Sequence, residues 1–239
     1  MKIRAYATPH DVLPGELNGV TAVVIDTLRM TSVATAAIHS GCAGIYTCAE
    51  VEQARDFARN CDALLGGERN ALKIEGFDFS NSPLEYTPDA ISGRRLVMST
   101  SNGTRAIAAC AQAHRLLLGA LVNAKAVAGA VSGEERVALV CAGTNGAFTL
   151  EDALTAGAIA LHLPDAELDD AALAFEMLYR SAQKDIFGTL APTTHFSRLR
   201  KLGFERDLIF CLKPDTLDEI CEMGDNGWFC RVQRARGSY

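Results

Sequence analysis

Asp26 directly follows the apolar, β-branched run Thr21-Ala22-Val23-Val24-Ile25, so its carboxylate is expected at the end of a buried strand. There it could ligate a metal or attack as a nucleophile. Arg29, three residues on, offers the planar fork that grips phosphate or carboxylate with two hydrogen bonds. An Asp26–Arg29 ion pair, with Asp26 also capping the next helix, would use the same two residues. Two further polar loops repeat the arrangement: Ser99 to Thr104 after Arg95-Leu96-Val97-Met98, and Cys141 to Gly146 after Arg136 to Val140. Each of the three loops feeds a predicted helix, whose first N–H groups are free and carry partial positive charge, a setting for phosphate or carboxylate. Thr31, Ser32, Asn102, Gly103, Thr104 and Arg105 are then candidate donors to such an anion. Thr, Ser, Asn and Gly also make ordinary caps and turns; it is the recurrence over three loops that favours a site. No P-loop or dinucleotide spacing is present, which leaves ATP and NAD sites unsupported.

Acids complete the set. Gly66-Gly67 lets the backbone approach closely and could aim Glu68 into a cleft, with Arg69 beside it, although a surface turn reads the same way. Glu151 and Asp152 fall at the start of a helix, where they complement its dipole. Asp26, Glu68, Glu151 and Asp152 are also the hard oxygen donors that Mg²⁺ prefers, and no histidine cluster competes. Of the five dispersed histidines only His195, in Thr193-Thr194-His195, reads as a site candidate. Cys141 ends a strand before a helix, as nucleophiles do, but buried packing explains it better.

Strands must alternate with helices to hold these loops at one end. Gly44 to Cys48 and Leu116 to Leu118 read as further strands. Helices are predicted over Val33 to His39, Val51 to Asn60, Arg105 to Ala113, Ala124 to Val131, Leu150 to Leu161 and Asp169 to Ala182. The fold class is therefore α/β, a mainly parallel sheet covered by helices in three layers. Residues 1–239 form one compact unit with candidate halves at about 1–118 and 119–239. Phe187 to Thr194 reads as loop, and the last ten residues as a frayed end.

Composition limits the partners. With 23 basic and 29 acidic residues the net charge is −6, and no basic stripe suggests nucleic acid. The 49% hydrophobic content excludes a disordered chain. No apolar run is long enough for a membrane helix, and the N-terminus lacks the apolar core of a signal peptide. Eight scattered cysteines without metal or redox spacing point to a reducing cytoplasm. A homodimer is expected.

Five strings in one order are similar to the 2-phosphosulfolactate phosphatases. They are V-V-I-D-T-L-R-M-T-S (Val23 to Ser32), L-L-G-G-E-R (Leu64 to Arg69), K-I-E-G-F-D-F-S-N-S-P-L-E (Lys73 to Glu85), S-T-S-N-G-T-R-A (Ser99 to Ala106) and V-C-A-G-T-N-G-A-F-T-L-E-D (Val140 to Asp152). Asn123 and Leu202-Gly203-Phe204-Glu205-Arg206-Asp207 also fit. Ser80 and Ser101 stand where the family usually has Gly and Thr, and no Val-Pro pair occurs near Ile220-Cys221. The resemblance implies an α/β fold peculiar to that family and Mg²⁺-dependent hydrolysis of 2-phospho-3-sulfolactate to 3-sulfolactate, a step of coenzyme M biosynthesis. It also implies a catalytic set of Asp26, Arg29 and Glu68, metal ligands among Asp26, Glu68, Glu151 and Asp152, and substrate contacts that add Arg69, Asn81, Ser82 and Asn123. A phosphatase for another small phosphorylated 2-hydroxy acid, or a non-catalytic protein that binds small anions, would use the same loops.

Overall fold

The computed structural model describes residues 1–232. Among them eleven strands form one sheet: β1 (Lys2–Tyr6), β2 (Thr21–Ile25), β3 (Gly44–Thr47), β4 (Leu64–Arg69), β5 (Leu72–Lys73), β6 (Arg95–Ser99), β7 (Arg115–Gly119), β8 (Arg136–Cys141), β9 (Glu167–Leu168), β10 (Cys221–Met223) and β11 (Phe229–Arg231). Their order is β5-β4-β6-β3-β11-β10-β7-β2-β8-β1-β9. The helices are α1 (Met30–His39), α2 (Val51–Cys61), α3 (Pro88–Ile91), α4 (Gly103–Ala109), α5 (Ala124–Val131), α6 (Leu150–Leu161), α7 (Asp170–Ala182), α8 (Ile186–Leu190), α9 (Thr194–Lys201) and α10 (Glu205–Cys211).

The apolar strands are apolar because both faces are covered. Val23 and Ile25 of β2 enter a core shared with α5, α6 and α7, while Ala22 and Val24 enter the opposite core with α1 and α4. Such a strand cannot alternate polar and apolar residues. The expected helix-covered, mainly parallel sheet is thus present. β4, β6 and β3 form one parallel block, and β7, β2, β8 and β1 another. The blocks are joined by the antiparallel hairpin β10–β11, in which Cys221 pairs with Leu118 of β7 and Phe229 with Ile45 of β3. β2 lies between β7 and β8, so strands from before and after residue 118 interleave.

Three local expectations need correction. Phe187 to Thr194 is not loop: α8 forms because the Asp185 carboxylate accepts the Gly188 N–H at 2.8 Å, and Phe187 packs edge-on against Phe196 of α9. A five-residue helix with glycine inside it leaves little pattern to read. Gly66-Gly67 is no surface turn but the middle of β4. Gly67 has φ of 148°, and a Cβ there would lie 2.1 Å from the Ser99 carbonyl oxygen, so only glycine lets β4 approach β6. Of the supposedly frayed last ten residues, Cys230 and Arg231 belong to β11, and 233–239 lie outside the described residues. Among the described residues no helix is long and apolar enough to cross a membrane.

Candidate active site

The carboxyl ends of β2, β4, β6 and β8 open on one narrow cleft, the position where open α/β sheets bind ligands. Asp26, Arg29, Glu68, Asn81 and Asn102 all line it, drawn from four separate stretches of the chain. Asp26 is 7% exposed. Its Oδ1 accepts the Met30 N–H at 3.3 Å as α1 begins, and its Oδ2 accepts no hydrogen bond among the described residues. A Cβ on Gly103 would come within 2.8 Å of that Oδ2, so the start of α4 is brought against the carboxylate by the lack of a side chain. Burial pushes the Asp26 carboxyl up to about 6; His195 and the Met30 N–H oppose the rise, and the charges of Glu68 and Glu151 add to it.

Glu68 ends in two backbone contacts, Oε1 accepting the Ser101 N–H at 2.8 Å and Oε2 the Ala71 N–H at 2.7 Å. Arg29 does not pair with Asp26. Its Nη1 donates to Asp207 Oδ2 at 2.5 Å, its Nη2 donates to the Ala71 carbonyl at 3.0 Å, and the Phe204 ring lies 4.0 Å from the guanidinium carbon. The other oxygen of Asp207 accepts the Ser82 hydroxyl at 2.8 Å. Asn102 Oδ1 accepts the Asn145 N–H at 3.1 Å, tying the β6 and β8 loops together. Asn81 is buried, and among the described residues its Oδ1 has no hydrogen-bond partner. Asn81 lines the cleft, and an unpartnered buried amide oxygen is a group that a ligand donor or a cation would satisfy.

The remaining candidates hold the cleft rather than line it. Thr31 Oγ1 accepts the Asp26 N–H, and the hydroxyls of Ser32 and Thr104 donate to the Thr27 and Thr100 carbonyls. Arg69 turns away to the Ala49 carbonyl and Ser99, while Arg105 lines a neighbouring hollow with His10. Asn123 is fully buried, accepting the Ala120 N–H and donating to the Glu219 carbonyl, which fastens the loop after β7 to the segment before β10. Glu151 and Asp152 diverge. Glu151 Oε1 lies 2.8 Å from His195 Nδ1. Asp152 accepts the Thr27 N–H, the Gly143 N–H and the Thr149 hydroxyl, fixing the turns after β2 and β8 relative to each other. Burial first, then Asp26 and Glu151, push its carboxyl well above the usual range, against the pull of those N–H groups. Cys141 is buried, and burial raises its thiol well above the ordinary value, which removes it as a nucleophile.

Among the described residues no three His, Cys, Asp or Glu side chains form a ready-made metal cage. Mg²⁺ seldom uses one; it is held by one or two carboxylates together with waters and substrate phosphate oxygens. Asp26 with its open Oδ2, Glu68, and the bare Oδ1 of Asn81 are oxygens of that kind in one cleft. The donor chemistry fits Mg²⁺ through Asp26 and through Glu68, whose oxygens each accept a single N–H and keep a further lone pair; both line the cleft, whereas Glu151 and Asp152 do not.

Asp207, Phe204, Asn70, Thr144 and Arg198 also shape this site without having been singled out as candidates. For Asp207 and Phe204 the signal was the string Leu202 to Asp207, which stands far along the chain from the loops it serves.

Comparisons with known proteins place the chain in a family. A family model described as 2-phosphosulpholactate phosphatase matches residues 6–226. A protein of Caldicellulosiruptor saccharolyticus named probable 2-phosphosulfolactate phosphatase is 43% identical over 233 residues, covering 93% of this chain and 96% of its own. A protein of the same name from Caldanaerobacter subterraneus subsp. tengcongensis is 41% identical over 227 residues, covering 92% and 94%. Another from Clostridium novyi is 40% identical over 228 residues, covering 93% and 97%.

Proposed function

The chain belongs to the 2-phosphosulfolactate phosphatase family, and from that membership we propose that its cleft hydrolyses the phosphate ester of 2-phospho-3-sulfolactate to 3-sulfolactate and phosphate with Mg²⁺. The observation that carries the reading is the buried Asp26, one oxygen unengaged, beside Glu68, Arg29 and the bare Asn81 oxygen. Phosphate-monoester hydrolysis is among the slowest uncatalysed reactions, and enzymes accelerate it by up to about 10²¹-fold. The protein must bring an attacking oxygen to phosphorus and neutralise charge on the phosphoryl oxygens.

A phosphoryl dianion entering beside Asp26 and Glu68 meets like charge, which Mg²⁺ held there would neutralise. Asp26 and Glu68 would hold it, with the Asn81 oxygen completing the wall. Arg29 lines the same cleft, its fork held rigid by Asp207, the Ala71 carbonyl and Phe204, so its positive charge is fixed beside the site without further loss of side-chain freedom. Asp26 either orients the attacking water or itself takes the phosphoryl group; trapping of an acyl phosphate by hydroxylamine separates the two. Eight unpaired cysteines support a reducing, cytoplasmic setting. Light scattering on the purified chain tests the homodimer.

The deciding experiment is phosphate release from 2-phospho-3-sulfolactate with Mg²⁺, run beside phospholactate and phosphoglycerate and repeated in EDTA. Preference for the sulfonate, lost with EDTA and restored by Mg²⁺, is the expected result. Equal rates on all three keep the phosphatase and discard the substrate. No release from any supports the anion-binding reading instead.

A further inference from the structure

We propose that His195 is the general acid that protonates the departing alcohol oxygen and that Glu151 positions it; this rests on the phosphatase reading and deepens it. His195 is the second residue of α9, and its side chain is only 15% exposed. Its Nδ1 lies 2.8 Å from Oε1 of Glu151, which is 2% exposed, and 3.3 Å from Thr144 Oγ1. An ionised carboxylate only accepts, so Nδ1 carries its proton toward Glu151. That leaves Nε2, which makes no hydrogen bond among the described residues, as the ring atom free for proton exchange.

The residue stands between two hollows. One is the cleft of Asp26 and Asn81; the other, a cavity of about 650 Å³, is lined by Phe148 and Thr193, and His195 and Arg198 belong to both. A phosphoryl group seated beside Asp26 and Arg29 directs the rest of its ester into the larger hollow, past Arg198, whose charge suits a sulfonate or carboxylate. The bridging oxygen then lies at the boundary, beside His195. The alcohol released is secondary and a poor leaving group without a proton. As the ester P–O bond breaks, its electron pair stays on the bridging oxygen, which takes the proton from Nε2. Water oxygen makes the new P–O bond, directly or after Asp26 has carried the phosphoryl group. One proton of that water restores Nε2, so each turnover consumes one water and yields alcohol and phosphate.

The test compares kcat/KM of the full-length wild type and His195→Gln, with Mg²⁺, on 2-phospho-3-sulfolactate and on 2,4-dinitrophenyl phosphate, whose phenolate leaves unprotonated. The expected loss is ~10²–10⁴-fold on the alkyl ester, the usual worth of a general acid, and smaller by at least about tenfold on the aryl ester. Equal losses on both overturn the assignment and leave His195 a packing or ligand residue. A wild type that cleaves the aryl ester and phosphoglycerate, but not the sulfonate, refutes only the substrate, and phosphoglycerate then serves as the alkyl ester. A wild type that cleaves nothing overturns the phosphatase reading and this role together. Should His195→Gln fail to fold, the wild type alone decides: a rate nearly independent of leaving-group acidity supports the acid, and a steep dependence refutes it. Glu151→Gln, which keeps an acceptor for Nδ1–H, is expected to retain more activity than Glu151→Ala; equal losses refute the positioning role.

Discussion

Two hollows at opposite ends of the same sheet are both lined by charge, and they differ in how that charge is balanced. At the amino end of β8 and along β1 and β9 lies a cavity of about 340 Å³ in which Lys2 pairs with Glu167 at 3.3 Å, and Arg4 with Glu16 and Asp169. Lys2, Arg4 and Arg136 face Glu16, Glu167 and Asp169 there, so the charges balance, and both members of the Lys2–Glu167 pair are 70% exposed. The cleft at the carboxyl ends is smaller, about 50 Å³, yet it brings Asp26 and Glu68 together with Arg29 already committed to Asp207. Room does not mark the site. What sets the candidate site apart is buried carboxylate without a salt-bridge partner, an arrangement that destabilises the fold unless a ligand cation or a proton relieves it.

Asp26→Asn is the sharpest way to break that contrast. Turnover on the sulfonated ester should fall at least ~10³-fold, the order seen when a group that touches the reacting atoms is removed, while Arg136→Gln in the far hollow should stay within about twofold of wild type. Steady-state phosphate release decides; near-normal activity in Asp26→Asn refutes the site. Next in size is Asp207→Ala. Arg29 and Asp207 have side chains 1% and 5% exposed, so removing the acid strands a buried guanidinium. The expected loss is ~3–5 kcal/mol, read as a fall in melting temperature of about 10 °C, together with weaker turnover as Arg29 loses its orientation. Unchanged melting would show that the pair is not what anchors Arg29.

Asp26 also sets a pH dependence opposite to that of an ordinary salt-bridged acid. Its folded value of about 6 lies above its ordinary 3.8, chiefly through burial. The folded state therefore binds the proton more tightly than the unfolded chain does. The stabilisation is full below 3.8 and is lost as pH rises through 6. Without divalent cation, Asp26→Asn should then be more stable than wild type at pH 8, by up to ~3 kcal/mol, since each tenfold difference in proton affinity between the folded and unfolded chain is worth ~1.4 kcal/mol. The advantage should shrink below pH 4 and also when Mg²⁺ binds the wild type. Denaturant titrations at the two pH values, with and without Mg²⁺, measure it.

Those same residues show what could be read from the chain alone. β2, β6 and β8 were legible because a strand covered on both faces is a solid apolar run, and the loops after them then fell at one end of the sheet. β1 was missed although Lys2 and Arg4 alternate with Ile3 and Ala5 as in a strand with one exposed face, because four such residues at the chain start are too short a run to stand out. β10 and β11 are three residues each and carry no period, though they join the two parallel blocks. In the site, Asp26 and Glu68 were visible from position. The partner of Arg29 was not, since Asp207 lies 178 residues away and nothing in local spacing encodes that approach. Glu151 and Asp152 looked like one acidic pair, but neighbours on a helix face different ways. One went to His195 and the other to backbone N–H groups of two turns.

The smallest expected effect tests the other side of the comparison. Glu167→Gln removes the partner of Lys2 at the sheet edge, where both side chains are solvated and salt screens their attraction. Stability should change by less than ~0.5 kcal/mol, within the range of exposed pairs, and phosphate release should not change. β9 should remain paired to β1, because that pairing is made by backbone groups between Lys2 and Glu167 and between Ile3 and Leu168. A loss of activity here would mean that the two ends of β8 are coupled through the strand, whose amino end lines this hollow and whose following loop supplies Thr144 and Asn145 to the cleft. The contrast between matched and unmatched charge would then no longer separate a structural hollow from a functional one.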